Sequence, residues 1–173
     1  MQKVLIVVDV QNDFVDGVLG SSEAQAIIPA IKEKIEMYDK EGKEIVFTRD
    51  SHDESYLNTS EGKKLPIEHC IVGTRGWRIV DGLEMKNCKY ITKHTFGYAE
   101  WNAILKELGD PESIEVIGLD TDICVVTNAL IIKTLRPDIE ITVDARCCAG
   151  STPEKHKAAL EVMKSCQIDV IGE

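Results

Sequence analysis

Short runs rich in valine and isoleucine recur along the chain and alternate with segments of helical periodicity. The runs that predict strands are Lys3 to Val10, Glu44 to Thr48, Tyr90 to Lys93, Ser113 to Leu119, Glu140 to Val143 and Ile168 to Ile171. The helical segments between them are Ala24 to Lys40, Glu100 to Leu108, Asp122 to Leu135 and Thr152 to Cys166. Strands that alternate with helices are typical of a mainly parallel sheet covered by helices on both faces. The sequence therefore predicts a three-layer α/β/α fold with about six strands.

The chain reads as one unit from residue 1 to residue 173. Its 173 residues, 43% of them hydrophobic, suit a single domain with a substantial core. We find no repeat, low-complexity segment or linker that would divide it. The stretch from Asp50 to Gly76 reads as a long polar loop, and a loop of that length is usually functional.

The charge of the chain excludes some classes of partner. A net charge of -10 argues against sequence-independent nucleic-acid binding and against an anionic membrane surface. No stretch approaches the roughly 20 apolar residues that span a bilayer. The apolar run after Met1 is short and has no small-residue cleavage site, so it predicts a strand rather than a signal peptide. We expect a cytoplasmic protein that acts on a small molecule.

Four reactive side chains stand where predicted strands end. Asp9 closes the first strand, Asp50 follows the second, Lys93 closes the third and Cys124 comes just after the fourth. In open α/β sheets, ligands bind beyond the carboxyl ends of the strands. A single strand-end Asp is usually a cap for the next turn, but four reactive groups at one edge of a sheet predict an active site.

Cys124 is the candidate nucleophile. A buried cysteine that packs like alanine is the commoner role for such a residue. This one lies at a strand-to-helix turn, where unpaired N–H groups and the helix dipole favour a thiolate and can hold an oxyanion. Lys93 would lower the pKa of the thiol further, and Asp9 can accept the thiol proton and return it to a leaving amine.

Three motifs at these strand ends resemble those of the isochorismatase-like cysteine hydrolases. They are DVQNDF from Asp9 to Phe14, KHTF from Lys93 to Phe96, and GLDTDICV from Gly118 to Val125. The resemblance covers essentially the whole chain and implies Asp9, Lys93 and Cys124 as catalytic residues. It also implies a cis peptide at Leu119–Asp120, with the backbone N–H groups of Asp120 and Cys124 as the oxyanion hole.

A second constellation in and beside the long loop predicts a metal site. Asp50, His52 and His69 form a ligand set suited to Zn²⁺, with Mn²⁺ or Fe²⁺ as alternatives. The pattern resembles nicotinamidases, which bind a divalent metal through an Asp-x-His and a later His. In that branch the metal would hold the pyridine nitrogen of the substrate. Glu61 lies where some members supply a further carboxylate, although a solvated glutamate is the simpler interpretation.

The substrate pocket departs from that branch at two positions. Leu65 stands where nicotinamidases often have an aromatic residue that stacks on the substrate ring. Phe14 and Phe96 are candidate walls of the pocket, and either could equally be an ordinary core aromatic. Asp120 stands where a small residue is frequent, and an acid beside an oxyanion hole would be unhelpful unless it points away.

The leading hypothesis is a metal-dependent amidohydrolase that converts nicotinamide to nicotinate and ammonia through a thioester on Cys124, a step of NAD salvage. One alternative is another hydrolysis of the family, of a carbamoyl amide or of isochorismate. The isochorismate reaction would leave the Asp50, His52 and His69 set unexplained. A non-catalytic scaffold is the third alternative. The partner is a small amide, and a homo-oligomer is an open expectation.

Overall fold

The computed structural model describes residues 2–173 and has the predicted architecture of a parallel sheet flanked by helices. The six strands are β1 Lys3–Val8, β2 Glu44–Asp50, β3 Lys89–Lys93, β4 Ser113–Leu119, β5 Glu140–Ala149 and β6 Asp169–Ile171. The seven α-helices are α1 Asn12–Val15, α2 Ser22–Ala26, α3 Ile28–Lys40, α4 Ser60–Lys64, α5 Trp101–Glu107, α6 Val126–Leu135 and α7 Pro153–Ser165. A 3₁₀ turn spans Tyr56–Asn58 and a π turn spans Thr121–Val125.

Every strand pair of the described sheet is parallel, and the strand order is β3-β2-β1-β4-β5-β6. The central strand β1 is covered on both faces, and its residues from Val4 to Val8 are fully buried. The chain runs outward from β1 to β3 in one direction and from β4 to β6 in the other. The reversal lies between β1 and β4, and the carboxyl ends of strands at such a point form a crevice.

Local sequence chemistry explains where several elements begin and end. Helix α3 ends at Lys40, and Gly42 follows with φ of 65°, a conformation that costs glycine little. Helix α7 begins at Pro153, and the hydroxyl of Thr152 accepts the N–H of Lys155 at 3.2 Å. Both boundaries agree with the sequence pattern.

Other boundaries differ from the sequence-based expectation. The helix expected from Ala24 is two helices, α2 and α3, because Pro29 lacks an N–H and fits only the first turn of α3. The strand expected to end at Val143 continues as β5 to Ala149, beyond an irregularity in its pairing with β4. The expected long loop from Asp50 to Gly76 contains the 3₁₀ turn and α4.

A buried ionic network ties α3 to the sheet on the side away from the reactive strand ends. Glu115 of β4 accepts hydrogen bonds from Lys34 Nζ at 2.5 Å and from the Tyr38 hydroxyl at 2.6 Å. Lys34 also contacts Asp144 of β5 at 2.9 Å, and Asp144 pairs with Arg146 at 2.8 Å. Each buried carboxylate is therefore matched by a cation, which buried charges require.

No helix in the described part of the chain is long and apolar enough to cross a membrane.

Candidate active site and metal centre

Three of the predicted strand-end residues meet at the crevice between β1 and β4. Lys93 Nζ lies 2.6 Å from Asp9 Oδ2 and 3.5 Å from Cys124 Sγ. All three side chains are almost completely buried. The central lysine thus contacts both the carboxylate and the thiol that the sequence analysis paired with it.

The backbone and two neighbouring threonines hold this group in place. Asp9 has φ of 48°, an unusual conformation for a residue with a side chain, and its N–H donates to Thr48 of β2. The Thr48 hydroxyl donates to Asp9 Oδ1 at 2.6 Å, and Lys93 Nζ donates to the Thr95 carbonyl at 3.1 Å. The sequence analysis missed Thr48, because a threonine inside a strand carries no signal of its own.

Burial and the mutual charges of the three side chains together determine their ionisation. It raises the pKa of the Cys124 thiol well above its usual range, and Asp9 adds to the rise while Lys93 opposes it. This corrects the expectation that the helix terminus and Lys93 would leave a low thiol pKa. Burial would lower the pKa of Lys93, but Asp9, Cys124 and Asp50 outweigh it and hold the amine charged. Burial also raises the pKa of Asp9, against the charge of Lys93. The resting thiol is therefore protonated, and Asp9 is the candidate acceptor for its proton.

The second predicted constellation also comes together. Asp50 Oδ2 lies 3.0 Å from His52 Nε2 and 3.6 Å from His69 Nε2. Glu61 Oε1 of α4 lies 3.8 Å from each of the two Nε2 atoms. The four ligand atoms all lie within 4.8 Å of one another. Two imidazoles and two carboxylates that converge in this way fit a divalent cation such as Zn²⁺.

The surroundings of the histidines orient them toward this point. His69 Nδ1 lies 2.8 Å from the Ile67 carbonyl, which leaves Nε2 as the free nitrogen facing the carboxylates. The ring of Tyr56 packs edge-on against His69 and tilted against His52, with centroids 4.9 Å and 4.6 Å away. Burial, with a smaller contribution from the charge of Asp50, raises the pKa of Glu61. The four donor groups therefore fit a metal ion. Tyr56 was not identified in the sequence analysis.

A cavity of about 380 Å³ joins the two groups of residues. Its walls include Phe14, Leu65 and Phe96, the three residues singled out from the sequence. Phe14 is buried, with its ring centroid 5.6 Å from that of His69, whereas Phe96 is 46% exposed at the rim. Leu65 lines the cavity without an aromatic ring, and Phe14 is an aromatic lining residue whose ring lies next to the candidate ligand His69.

The turn that carries Cys124 begins at Asp120. The Leu119–Asp120 peptide is cis, as the family resemblance implied. The Asp120 carbonyl accepts the N–H groups of Ile123 and Val125, and the expected helix start at Asp122 is a wide π turn that leads into α6. Asp120 lines the cavity together with Cys124.

Comparisons with known proteins agree with this geometry. The isochorismatase domain matches residues 3–172. A nicotinamidase of Schizosaccharomyces pombe is 28% identical over 98% of this chain and 92% of its own length. A nicotinamidase/pyrazinamidase of Mycobacterium tuberculosis is 25% identical over 98% of both chains. Among solved structures, the pyrazinamidase of Pyrococcus horikoshii in complex with zinc is 30% identical over the full length of both chains, with a TM-score of 0.88.

Proposed function

The chain belongs to the isochorismatase domain family, and on that premise we propose that it is a metal-dependent cysteine amidohydrolase that converts nicotinamide to nicotinate and ammonia. The observation that carries the proposal is the contact of Lys93 Nζ with both Asp9 Oδ2 and Cys124 Sγ, at 2.6 Å and 3.5 Å. The relatives named nicotinamidase, which match over nearly the whole chain, support the substrate.

The first half of the reaction forms a thioester. Asp9 takes the proton of the Cys124 thiol while the sulfur attacks the amide carbon. The backbone N–H groups of Asp120 and Cys124, at the π turn that leads into α6, stabilise the oxyanion. Asp9 then gives the proton to the leaving nitrogen, the C–N bond breaks and ammonia departs. Lys93 stays charged and stabilises whichever of its two neighbours is anionic.

The second half of the reaction regenerates the thiol. A water gives a proton to Asp9 and attacks the thioester carbon. The C–S bond then breaks, and the Cys124 thiolate recovers its proton from Asp9. The products are the carboxylic acid and free enzyme, so one water is consumed for each amide.

The metal side of the cavity orients the substrate. Asp50, His52, His69 and Glu61 would hold the divalent ion, most suitably Zn²⁺. A bound ion supplies a Lewis-acid site for the ring nitrogen of nicotinamide. The Phe14 ring lies beside His69 and would pack on the pyridine ring. Together, a bound ion and the Phe14 ring would direct the carboxamide toward Cys124.

The test is the release of ammonia and nicotinate from nicotinamide by purified protein supplied with Zn²⁺. Cys124→Ser should reduce turnover to the background rate. Cys166→Ser is the matched control, since Cys166 is an exposed thiol outside the cavity, and it should keep full turnover. Equal rates for the wild type and Cys124→Ser would overturn the proposal.

A further inference from the structure

Asp120 and Asp122, two aspartates in the turn that carries Cys124, have opposite surroundings. Asp122 is fully bonded, since its Oδ1 accepts the Ser151 N–H and its Oδ2 accepts the Ser151 hydroxyl, both at 2.7 Å. The carboxyl group of Asp120 has neither a hydrogen bond nor an ion pair with any described residue, and Asp120 is among the residues that line the cavity with Cys124. A half-buried acid without a partner in a binding cavity is costly and must meet whatever enters.

The other charges on the nucleophile side of the cavity do not neutralise Asp120. The charge of Lys93 is shared between Asp9 at 2.6 Å and Asp50 at 3.3 Å. Lys155 of α7 lines the cavity, but it is an exposed residue whose charge water screens. Asp120 is the less solvated of the two, so its charge acts more strongly on a bound molecule.

The ionisation of Asp120 falls in the working range of pH. Burial, with smaller contributions from Asp122 and Asp9, raises the pKa of Asp120 to about 7, and Lys155 opposes the rise. The carboxyl group is therefore increasingly negative above neutral pH.

We propose that Asp120 is a specificity-determining residue that favours uncharged carboxamides over carboxylates next to Cys124, and so also favours release of the acid product. The inference rests on the proposed function for its amide substrate and deepens it. An amide can offer an N–H to the carboxylate of Asp120, whereas the oxygen in the same place on an acid carries a like charge. Hydrolysis converts the first kind of group into the second.

The test uses two alkylating reagents of nearly equal shape, iodoacetamide and iodoacetate, which differ as the amide and the acid do. Their rates are measured at Cys124 by peptide mass spectrometry, in proteins prepared identically with Zn²⁺. The same two rates at the exposed Cys166 serve as the internal reference. The ratio of the iodoacetamide rate to the iodoacetate rate at Cys124 is divided by the same ratio at Cys166. This quotient cancels the intrinsic reactivity of the two reagents and the thiolate fraction of each cysteine.

In the wild type, the preference of Cys124 for iodoacetamide should exceed that of Cys166 by about threefold or more, the size expected of one poorly screened charge. Asp120→Asn should reduce this excess, and Asp120→Glu should keep it. Glu154→Gln removes one exposed charge at the start of α7, outside the cavity, and should leave it unchanged. An excess equal in wild type and Asp120→Asn would overturn the proposal.

The pH dependence in the wild type needs no variant and keeps the proposal testable if Asp120→Asn does not fold. The excess should grow between about pH 6 and about pH 8.5 as Asp120 ionises. A constant excess over that range would contradict the inference. If nicotinamide is not turned over but Cys124 still prefers iodoacetamide to this extent, the proposed substrate is wrong and the inference about Asp120 holds.

Discussion

Asp50 Oδ1 lies 3.3 Å from Lys93 Nζ, so one carboxylate connects the candidate metal centre to the candidate catalytic group. Its other oxygen, Oδ2, faces His52 and His69. The two residues are paired in register on neighbouring strands β2 and β3, which fixes their separation. A substitution in the candidate metal centre should therefore also affect the candidate catalytic group.

Asp50→Asn should lower both metal affinity and turnover. Loss of a carboxylate ligand weakens metal binding by about 10- to 100-fold or more, and turnover should stay low at saturating metal because Lys93 loses a neighbour. Metal titration and ammonia release measure the two effects. Asp53→Asn is the matched control, because Asp53 is exposed and bonds only to Ser55. Full turnover of Asp50→Asn at saturating metal would contradict the coupling.

Lys93→Met should destabilise the fold as well as abolish turnover. It leaves Asp9 buried without a cation, and breaking such a pair costs about 3–5 kcal/mol. The double variant Lys93→Met/Asp9→Leu should recover much of this free energy of unfolding and none of the activity. Urea unfolding and ammonia release measure these quantities. Lys89→Met removes a half-buried lysine of the same strand that pairs with the exposed Glu107. It should change the free energy of unfolding and the activity only slightly, since surface pairs contribute little.

Glu61→Gln should weaken metal binding if Glu61 is a ligand. The Oε1 atom of Glu61 lies 3.8 Å from both histidine nitrogens, and the loss of one anionic ligand should reduce affinity by about tenfold or more. The measurement is metal content by elemental analysis after dialysis against a graded chelator. Glu68→Gln, at an exposed position next to His69, provides the charge-matched control. Equal metal affinities of the two variants would show that Glu61 is a solvated residue and not a ligand.

Asp144→Asn should remove a contribution to the free energy of unfolding that is present at neutral pH and lost in acid. Burial would raise the pKa of Asp144, but hydrogen bonds from Arg146 and Lys34 outweigh it and lower the pKa to about 2. A lowered carboxyl pKa stabilises the fold above the unfolded value, and this contribution is lost as the pH falls from about 4 toward about 2.

The free energy of unfolding of Asp144→Asn should therefore be about 2 kcal/mol below that of the wild type at pH 7. The gap should close toward the acid end of the range. Urea titrations of both proteins across this range measure it. Asp138→Asn lies on an exposed turn outside the network, and its free energy of unfolding should change with pH in the same way as that of the wild type. A gap that stays constant with pH would show that Asp144 acts through packing and not through its charge.

Sequence patterns identified the sheet, the strands that compose it and the reactive residues at their ends. The alternation of apolar runs with helical segments predicted a parallel sheet, and Asp9, Lys93 and Cys124 followed from the rule that such sheets bind ligands at their carboxyl ends. These inferences needed local periodicity, the chemistry of the side chains at the strand ends and the resemblance of the three motifs, but no tertiary contact. The break between α2 and α3 and the extension of β5 to Ala149 were not predicted, because tertiary packing overrides local signals at element boundaries.

Cys124, the residue on which the functional prediction depends, illustrates what the sequence alone determined. Its position after a buried strand and inside the GLDTDICV motif marked it as the candidate nucleophile. The tertiary structure decided its environment: burial raises its thiol pKa, and Asp9 and Lys93 lie beside it. Asp120, whose carboxyl group has no partner among the described residues, lines the same cavity. Likewise Thr48, Tyr56 and Glu61 take their places only through the fold. The physical reason is that a periodic pattern reports which face a residue presents, whereas pairings and charges depend on which distant strands the sheet order makes neighbours.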